Sequence, residues 1–152
     1  MIEIYIDGDA CPVKSEIIKV AERHNLKINV ASNGWLRFGE TSVEINQVML
    51  PKTPDAADNW IAENIKKNDI AVTNDIPLAS RCLNAGAIAL RPNGSEFTSD
   101  NIGTSLGMRD FNSFLREIGE KGGVNPPFSQ KDRSNFLNSF ENIIQKALRK
   151  PS

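Results

Sequence analysis

The sequence predicts an α/β domain: a central, mostly parallel five-stranded sheet with helices on both faces. Short β-branched runs alternate with stretches of helical periodicity from Ile2 to Leu90, which is the alternation that strand–helix–strand crossovers produce. Each strand-like run ends at a polar, Gly or Pro break, and such breaks punctuate elements. The chain has 152 residues, enough for one domain with a core of its own.

Ile2 to Ile6 has the β-branched and aromatic character of a strand and is stopped by Asp7-Gly8-Asp9. Pro12 suits the first turn of a helix, and Val13, Ile17, Val20 and Ala21 recur at helical spacing up to His24-Asn25. Ile28 to Ala31 is a second strand, broken by Ser32-Asn33-Gly34, after which a loop carries Trp35, Leu36, Arg37 and Phe38. Val43 to Val48 alternates only partly, as an edge strand does. After the break from Pro51 to Pro54, Ala57, Trp60, Ile61 and Ile65 mark a second amphipathic helix. Ile70 to Thr73 is a strand turned by Asn74-Asp75-Ile76-Pro77. Leu78, Ala79, Cys82 and Leu83 form a short helix closed by Gly86, and Ala87 to Leu90 is the fifth strand.

Beyond Leu90 the chain changes character. A polar loop from Arg91 to Asn101 precedes a helix marked by Phe111, Phe114, Leu115 and Ile118. Gly119 to Pro127 is rich in Gly and Pro. Ser129 with Asp132 resembles a capping box ahead of a last helix that buries Phe136, Phe140, Ile143, Ile144, Ala147 and Leu148. Residues 1–152 are expected to form one domain, with a helical extension from about 100 to 150 packed on it.

Composition narrows the function classes. Net charge is −1, so no global basic field attracts nucleic acid. Residues 1–60 hold 6 Lys and Arg against 9 Asp and Glu, and residues 61–152 hold 12 against 10. That asymmetry permits a local basic rim around an acidic site. Cys11 and Cys82 are too few and too far apart for a disulfide framework or a zinc site. Glu3 and Asp7 interrupt the only apolar run at the N-terminus, and no segment is apolar enough to span a membrane. A cytoplasmic protein is expected, with no membrane partner. A homo-oligomer is compatible with the sequence but not legible in it.

The chemistry lies in where the carboxylates fall. Asp7 and Asp9 follow the first strand, Asp55 and Asp58 open the helix after the third, and Asp75 follows the fourth. Ligands of open parallel sheets bind outside the carboxyl ends of the strands, where the strand order reverses. If the order is 3-2-1-4-5, Asp7 and Asp75 face each other across that point, with Asp55 or Asp58 approaching from the adjacent helix. Carboxylates crowded together repel unless a cation neutralises them. Mg²⁺ or Mn²⁺ takes oxygen ligands and keeps several waters, so a few Asp residues suffice. Each acid also has a purely structural role open to it: Asp7 and Asp9 shape a turn, Asp55 and Asp58 stand at a helix N-terminus, and Asp75 is a natural turn residue.

Other residues suggest chemistry more weakly. His24 lies near a helix C-terminus, where it complements the helix dipole. Cys11 lies near a helix N-terminus but has no His close in sequence to act as its base. The Trp35–Phe38 loop suits either base stacking or ordinary core contact. Arg81, Arg109, Lys131 and Arg133 are candidate phosphate contacts, with surface solvation or ion pairing as the ordinary fate of such residues.

These motifs resemble one family nearly end to end. Asp7-Gly8-Asp9-Ala10-Cys11-Pro12, Asp55-Ala56-Ala57-Asp58, Thr73-Asn74-Asp75-Ile76-Pro77-Leu78-Ala79, Met108-Arg109-Asp110-Phe111 and Asp132-Arg133 are similar, in the same order, to motifs of the YaiI/YqxD family of bacterial proteins. The resemblance implies a three-layer PIN-like fold with an acidic pocket, a fold group that includes metal-dependent ribonucleases. By position, Asp7 resembles the acid ending the first strand of PIN-like nucleases and Asp75 the one after the fourth. Asp55 and Asp58 lie where a helix acid is expected, and Asp9 is an extra acid typical of the family's own motif. The family usually has Ala where Gly8 stands, a change expected to be harmless in a turn. It usually has Asn-Pro-Arg-Gly in place of Arg91-Pro92-Asn93-Gly94, and it often runs Gly-Gly-Pro where this chain inserts Val124 and Asn125.

Three functions compete. The first is a Mg²⁺- or Mn²⁺-dependent nuclease acting on RNA: Asp7, Asp75 and Asp55 or Asp58 hold the cation, and Asp9 either joins them or positions the attacking water as a base. The second is a non-catalytic module of the same fold that binds RNA or a protein. The third is a phosphatase of the haloacid dehalogenase kind, with Asp7 as nucleophile and Asp9 as acid/base. It is disfavoured because Ala10 and Cys11 stand where that family has Thr or Val, and because Asn74-Asp75 supplies only half of its late acidic pair.

Overall fold

The computed structural model describes residues 2–8, 11–34, 36–53, 55–98, 102 and 129–149. Its elements in chain order are β1 (Glu3–Asp7), α1 (Lys14–His24), β2 (Lys27–Ser32), β3 (Ile45–Met49), α2 (Ala56–Asn64), β4 (Ile70–Val72), α3 (Ile76–Asn84), β5 (Ile88–Leu90) and α4 (Gln130–Arg149). The five strands form one sheet in the order 3-2-1-4-5. Every pairing is parallel, and the register sets Asp7 opposite Ala31 and Ile6 opposite Val72. The expected architecture is therefore present, and β3 is an edge strand. β1 and β4 are the neighbours at which the strand order reverses.

The two faces of the sheet follow from the alternation of side chains along each strand. Ile4, Ile6, Ile28, Val30, Ile70 and Val72 share a core with α1 and α4. Tyr5, Ala31, Ala71 and Ala89 share another with Ile61 of α2, with Leu78, Ala79 and Cys82 of α3, and with Phe97. Branched residues fill the first face. Small ones on the second let two short helices sit close to the strands. Each fully buried Ile, Leu or Phe contributes about 1.5–3 kcal/mol.

α1 and α4 lie side by side and run parallel. Arg133 pairs with Glu16 at 3.0 Å, and Glu141 pairs with His24 and with Arg23. Both cross-helix hydrogen bonds, Glu16 to Arg133 and His24 to Glu141, span 117 residues of sequence. An equal offset at both ends requires the same direction of travel. His24 is thus bonded to a neighbouring helix as well as sitting in the last turn of α1.

α4 begins with the expected capping box. The Ser129 backbone N–H donates to Asp132 at 3.0 Å, and the Asp132 N–H donates to the Ser129 hydroxyl at 3.1 Å. The Ser129 N–H, and after it the Ser129 hydroxyl, hold the Asp132 carboxyl below its usual range. The helix expected around Phe111 to Ile118, and the Gly/Pro-rich stretch after it, lie outside the described residues.

Two glycines mark close approaches. Gly94, at φ 95°, packs against the backbone of α4, where a Cβ would stand 2.7 Å from the Asn135 carbonyl oxygen. At Gly8 a Cβ would stand 2.6 Å from Leu36 Cδ1 and 2.7 Å from Val30 Cγ1. An alanine at position 8 therefore requires its neighbours to move. Leu36 is where it is because the Gln47 side chain holds both its N–H (3.0 Å) and its carbonyl (2.8 Å). Leu36 and Phe38 pack against the core, so these two residues of the aromatic loop make ordinary apolar contact.

Candidate functional site

Asp7 is the last residue of β1. Alternation places it on the same face as Tyr5, the face covered by α2 and α3. In register, Thr73 is the residue beside it, continuing β4 through an N–H bond to the Leu90 carbonyl at 3.0 Å. The chain turns at once. The Asp75 N–H donates to the Thr73 hydroxyl at 2.9 Å, and Asp75 Oδ1 accepts from the Leu78 N–H at 2.7 Å. Asp75 is thus the N-cap of α3, with Pro77 in the first turn. The cap engages one carboxylate oxygen.

Asp55 occupies the N-cap position of α2 but makes no capping bond with its side chain. Asp58 follows in the first turn and is half-buried. Burial pushes the Asp58 carboxyl up, and the charges of Asp75, Asp7 and Asp55 push it further, to about 6 against an ordinary 3.8; Arg81 partly opposes this. Three of the other predicted acids, Asp75, Asp7 and Asp55, thus act on Asp58 at one end of the sheet. The fifth, Asp9, lies outside the described residues.

This clustering is looser than a cage. Among the described residues, no three His, Cys, Asp or Glu side chains converge closely enough to hold one ion directly. The two facts are compatible: charges act on each other over many ångströms, whereas direct ligation of Mg²⁺ needs oxygens at about 2.0–2.1 Å. The donors are oxygens alone, which suits a hard cation that takes one or two carboxylates and keeps its remaining positions for water. The arrangement fits that mode and does not fit three direct carboxylate ligands.

A cleft of about 310 Å³ opens beside Asp7 at the carboxyl ends of β1, β2 and β3. Asp7, Ser32, Asn33, Lys52 and Thr53 supply its polar walls, and Leu50, Pro51 and Ala57 its apolar ones. None of these except Asp7 is marked as a site residue by the sequence. The signal was available all the same: they lie in the loops after β2 and β3, on the edge where such sheets bind ligands.

The predicted basic rim divides. Arg81 donates to Asn59 Oδ1 at 2.7 Å and links α3 to α2 beside Asp58. Arg133 faces α1, donating to the Pro12 carbonyl at 2.9 Å and to Glu16. Lys131 is exposed on the first turn of α4, and Arg109 lies outside the described residues. The thiols are buried, and burial raises Cys11 to about 11 and Cys82 to about 12, well away from nucleophilic range. A buried acid at the opposite end of the sheet, Asp69, is structural: it accepts the N–H groups of Glu3 (3.0 Å) and Lys66 (2.9 Å).

Fold and site define an open-sheet α/β protein with an acidic edge at its switch point. The chain belongs to the family described as "Uncharacterized BCR, YaiI/YqxD family", whose profile matches residues 5–146. It is 50% identical over 149 residues to the UPF0178 protein amb2838 of Paramagnetospirillum magneticum, covering 98% of each chain. It is 51% identical over 152 residues to a UPF0178 protein of Parvibaculum lavamentivorans, covering 99% of each. Among solved structures it is similar to the crystal structure of Rae1 (YacP) from Bacillus subtilis, with 16% identity, 97% and 99% of the two chains covered and a TM-score of 0.38.

Proposed function

We propose that this protein is a divalent-metal-dependent nuclease that hydrolyses phosphodiesters of RNA at the carboxyl edge of its sheet. The observation that carries the reading is that Asp7, Asp55 and Asp75 all act on the half-buried Asp58 beside the β1–β4 switch point. Asp7 and Asp75, with Asp55 or Asp58, would hold Mg²⁺ or Mn²⁺, one or two of them directly and the rest through its waters, and Asp9 would join them or position the attacking water. The ion, when bound, supplies a lowered pKa to water and charge stabilisation at a phosphate. The chain's own part is to gather the carboxylates, to seat Asp75 rigidly through its cap, and to leave a cleft open beside Asp7. The setting in this proposal is cytoplasmic; among the described residues no helix is long and apolar enough to cross a membrane.

The test is direct. With Mn²⁺, the purified protein is expected to cleave single-stranded RNA, and Asp7→Asn is expected to abolish cleavage. Equal activity in both proteins sinks the reading.

One observation favours a second reading, a module that binds RNA or a protein without catalysis: the absence of three directly converging ligands among the described residues. Tight RNA binding with no cleavage in Mg²⁺, Mn²⁺ or Co²⁺ decides for it.

A further inference from the structure

We propose that the cleft beside Asp7 is a subsite for one nucleotide of a single strand, with Lys52 as the cation that receives its phosphate. This rests on the nuclease reading and adds the form of the substrate and the residue that brings it in.

An anionic strand approaching four carboxylates on a protein of net charge −1 needs a local positive group. Among the described residues Lys52 is the one cation on the walls of the cleft, and Asp7 lines the same cleft. Among those residues, too, the Lys52 side chain has no hydrogen bond or ion pair. Arg81 and Arg133, by contrast, are engaged with Asn59 and Glu16.

The walls are held by the fold. The Leu50 N–H donates to the Ser32 carbonyl at 2.8 Å, the Ser32 hydroxyl donates to the Gly34 carbonyl at 2.6 Å, and the Ala56 N–H donates to the Thr53 carbonyl at 3.2 Å. The segment carrying Lys52 is therefore tied down on both sides, to β2 behind it and to the start of α2 ahead. The cleft combines hydroxyl and amide groups with apolar surface from Leu50 and Pro51, a mixture that suits a sugar and base as well as a phosphate. At about 310 Å³ it has room for one nucleotide unit.

The test is binding of a fluorescent ten-nucleotide oligouridylate by anisotropy, in Ca²⁺ to suppress cleavage, across a series of salt concentrations. Wild type, Lys52→Ala and Lys52→Arg are compared, with a duplex of the same length as a second probe and thermal melting to show that the variants fold. Lys52→Ala is expected to bind about tenfold more weakly. Its salt slope should fall by about 0.7, the loss of one single-strand phosphate contact. Lys52→Arg should retain most of the affinity, and the duplex should bind weakly and without regard to Lys52. If wild type binds and cleaves RNA while Lys52→Ala matches it in affinity and slope, the subsite is wrong and the nuclease reading stands. If the duplex binds as well as the single strand and depends equally on Lys52, the single-strand assignment is overturned. If wild type neither binds nor cleaves the oligonucleotide, both fall together.

Discussion

Arg133, in the first turns of the last helix, donates through one Nη1 to the Pro12 carbonyl at 2.9 Å and to Glu16 at 3.0 Å. The far end of the chain thereby grips the turn that follows Asp7. Glu16 is only 8% exposed, and Arg133 is the cation paired with it. Arg133→Ala is expected to lower stability by about 2 kcal/mol, a fall in Tm of roughly 4–8 °C for a chain of this size. Adding Glu16→Gln should restore part of the loss, giving a coupling of about 1 kcal/mol in a double-mutant cycle. Strict additivity of the two substitutions would show that the pair does not hold the helices together.

Asp58 predicts a pH dependence of unusual sign for an acid. Its folded-state pKa is raised, by burial first and then by Asp75, Asp7 and Asp55, from 3.8 to about 6. The folded protein therefore holds this proton more tightly than the unfolded chain does. Ionisation of Asp58 costs the fold nothing below about pH 4, increasingly more up to about pH 6, and a constant amount above that. In metal-free buffer Asp58→Asn should raise Tm by roughly 2–4 °C at pH 7.5, the equivalent of 1 kcal/mol, and leave it unchanged at pH 3.5. Mn²⁺ competes for the same charge, so binding by calorimetry should tighten between pH 5 and 7 in wild type. A stabilisation by Asp58→Asn that is equal at both pH values would contradict an electrostatic origin in the crowded carboxylates.

At Asp75 the structural and chemical roles can be separated. Asn caps a helix about as well as Asp does, and Ala does not. Asp75→Asn should leave Tm within about 2 °C of wild type, and Asp75→Ala should cost about 1 kcal/mol. Both should lose Mn²⁺ affinity and cleavage. Full activity in Asp75→Asn would reduce Asp75 to a cap.

Gly8 offers a packing test next to the site. Ala at this position meets Val30 and Leu36 at under 3 Å and should cost about 1–3 kcal/mol. Val30→Ala opens the space, so the double variant should lose less than the sum of its parts. At Gly34 a Cβ meets nothing within 4 Å, and Gly34→Ala should change stability by no more than about 0.5 kcal/mol. Chemical denaturation measures all four; a Gly8→Ala variant as stable as wild type would show that Leu36 moves aside freely.

The sequence by itself determined the elements and their order. Ile4 and Ile6 alternate with Tyr5 to make a two-faced strand, Ile17, Val20 and Ala21 recur at helical spacing, and Ser129 with Asp132 sets a helix start, all through contacts within a few residues. Strand–helix alternation predicted a parallel sheet; that Asp7 and Asp75 come to one edge followed only for the strand order 3-2-1-4-5, which is the order the structure has. Only the tertiary structure decided what each side chain does there. Asp75 spends an oxygen on a cap, and Asp58 is half-buried among its neighbours' charges. Arg133 turns to Glu16, 117 residues away, and Lys52 comes to share a cleft with Asp7. The reason is physical: local hydrogen bonds and side-chain periodicity are properties of a short segment, whereas burial, charge coupling and cleft walls exist only once distant segments have packed.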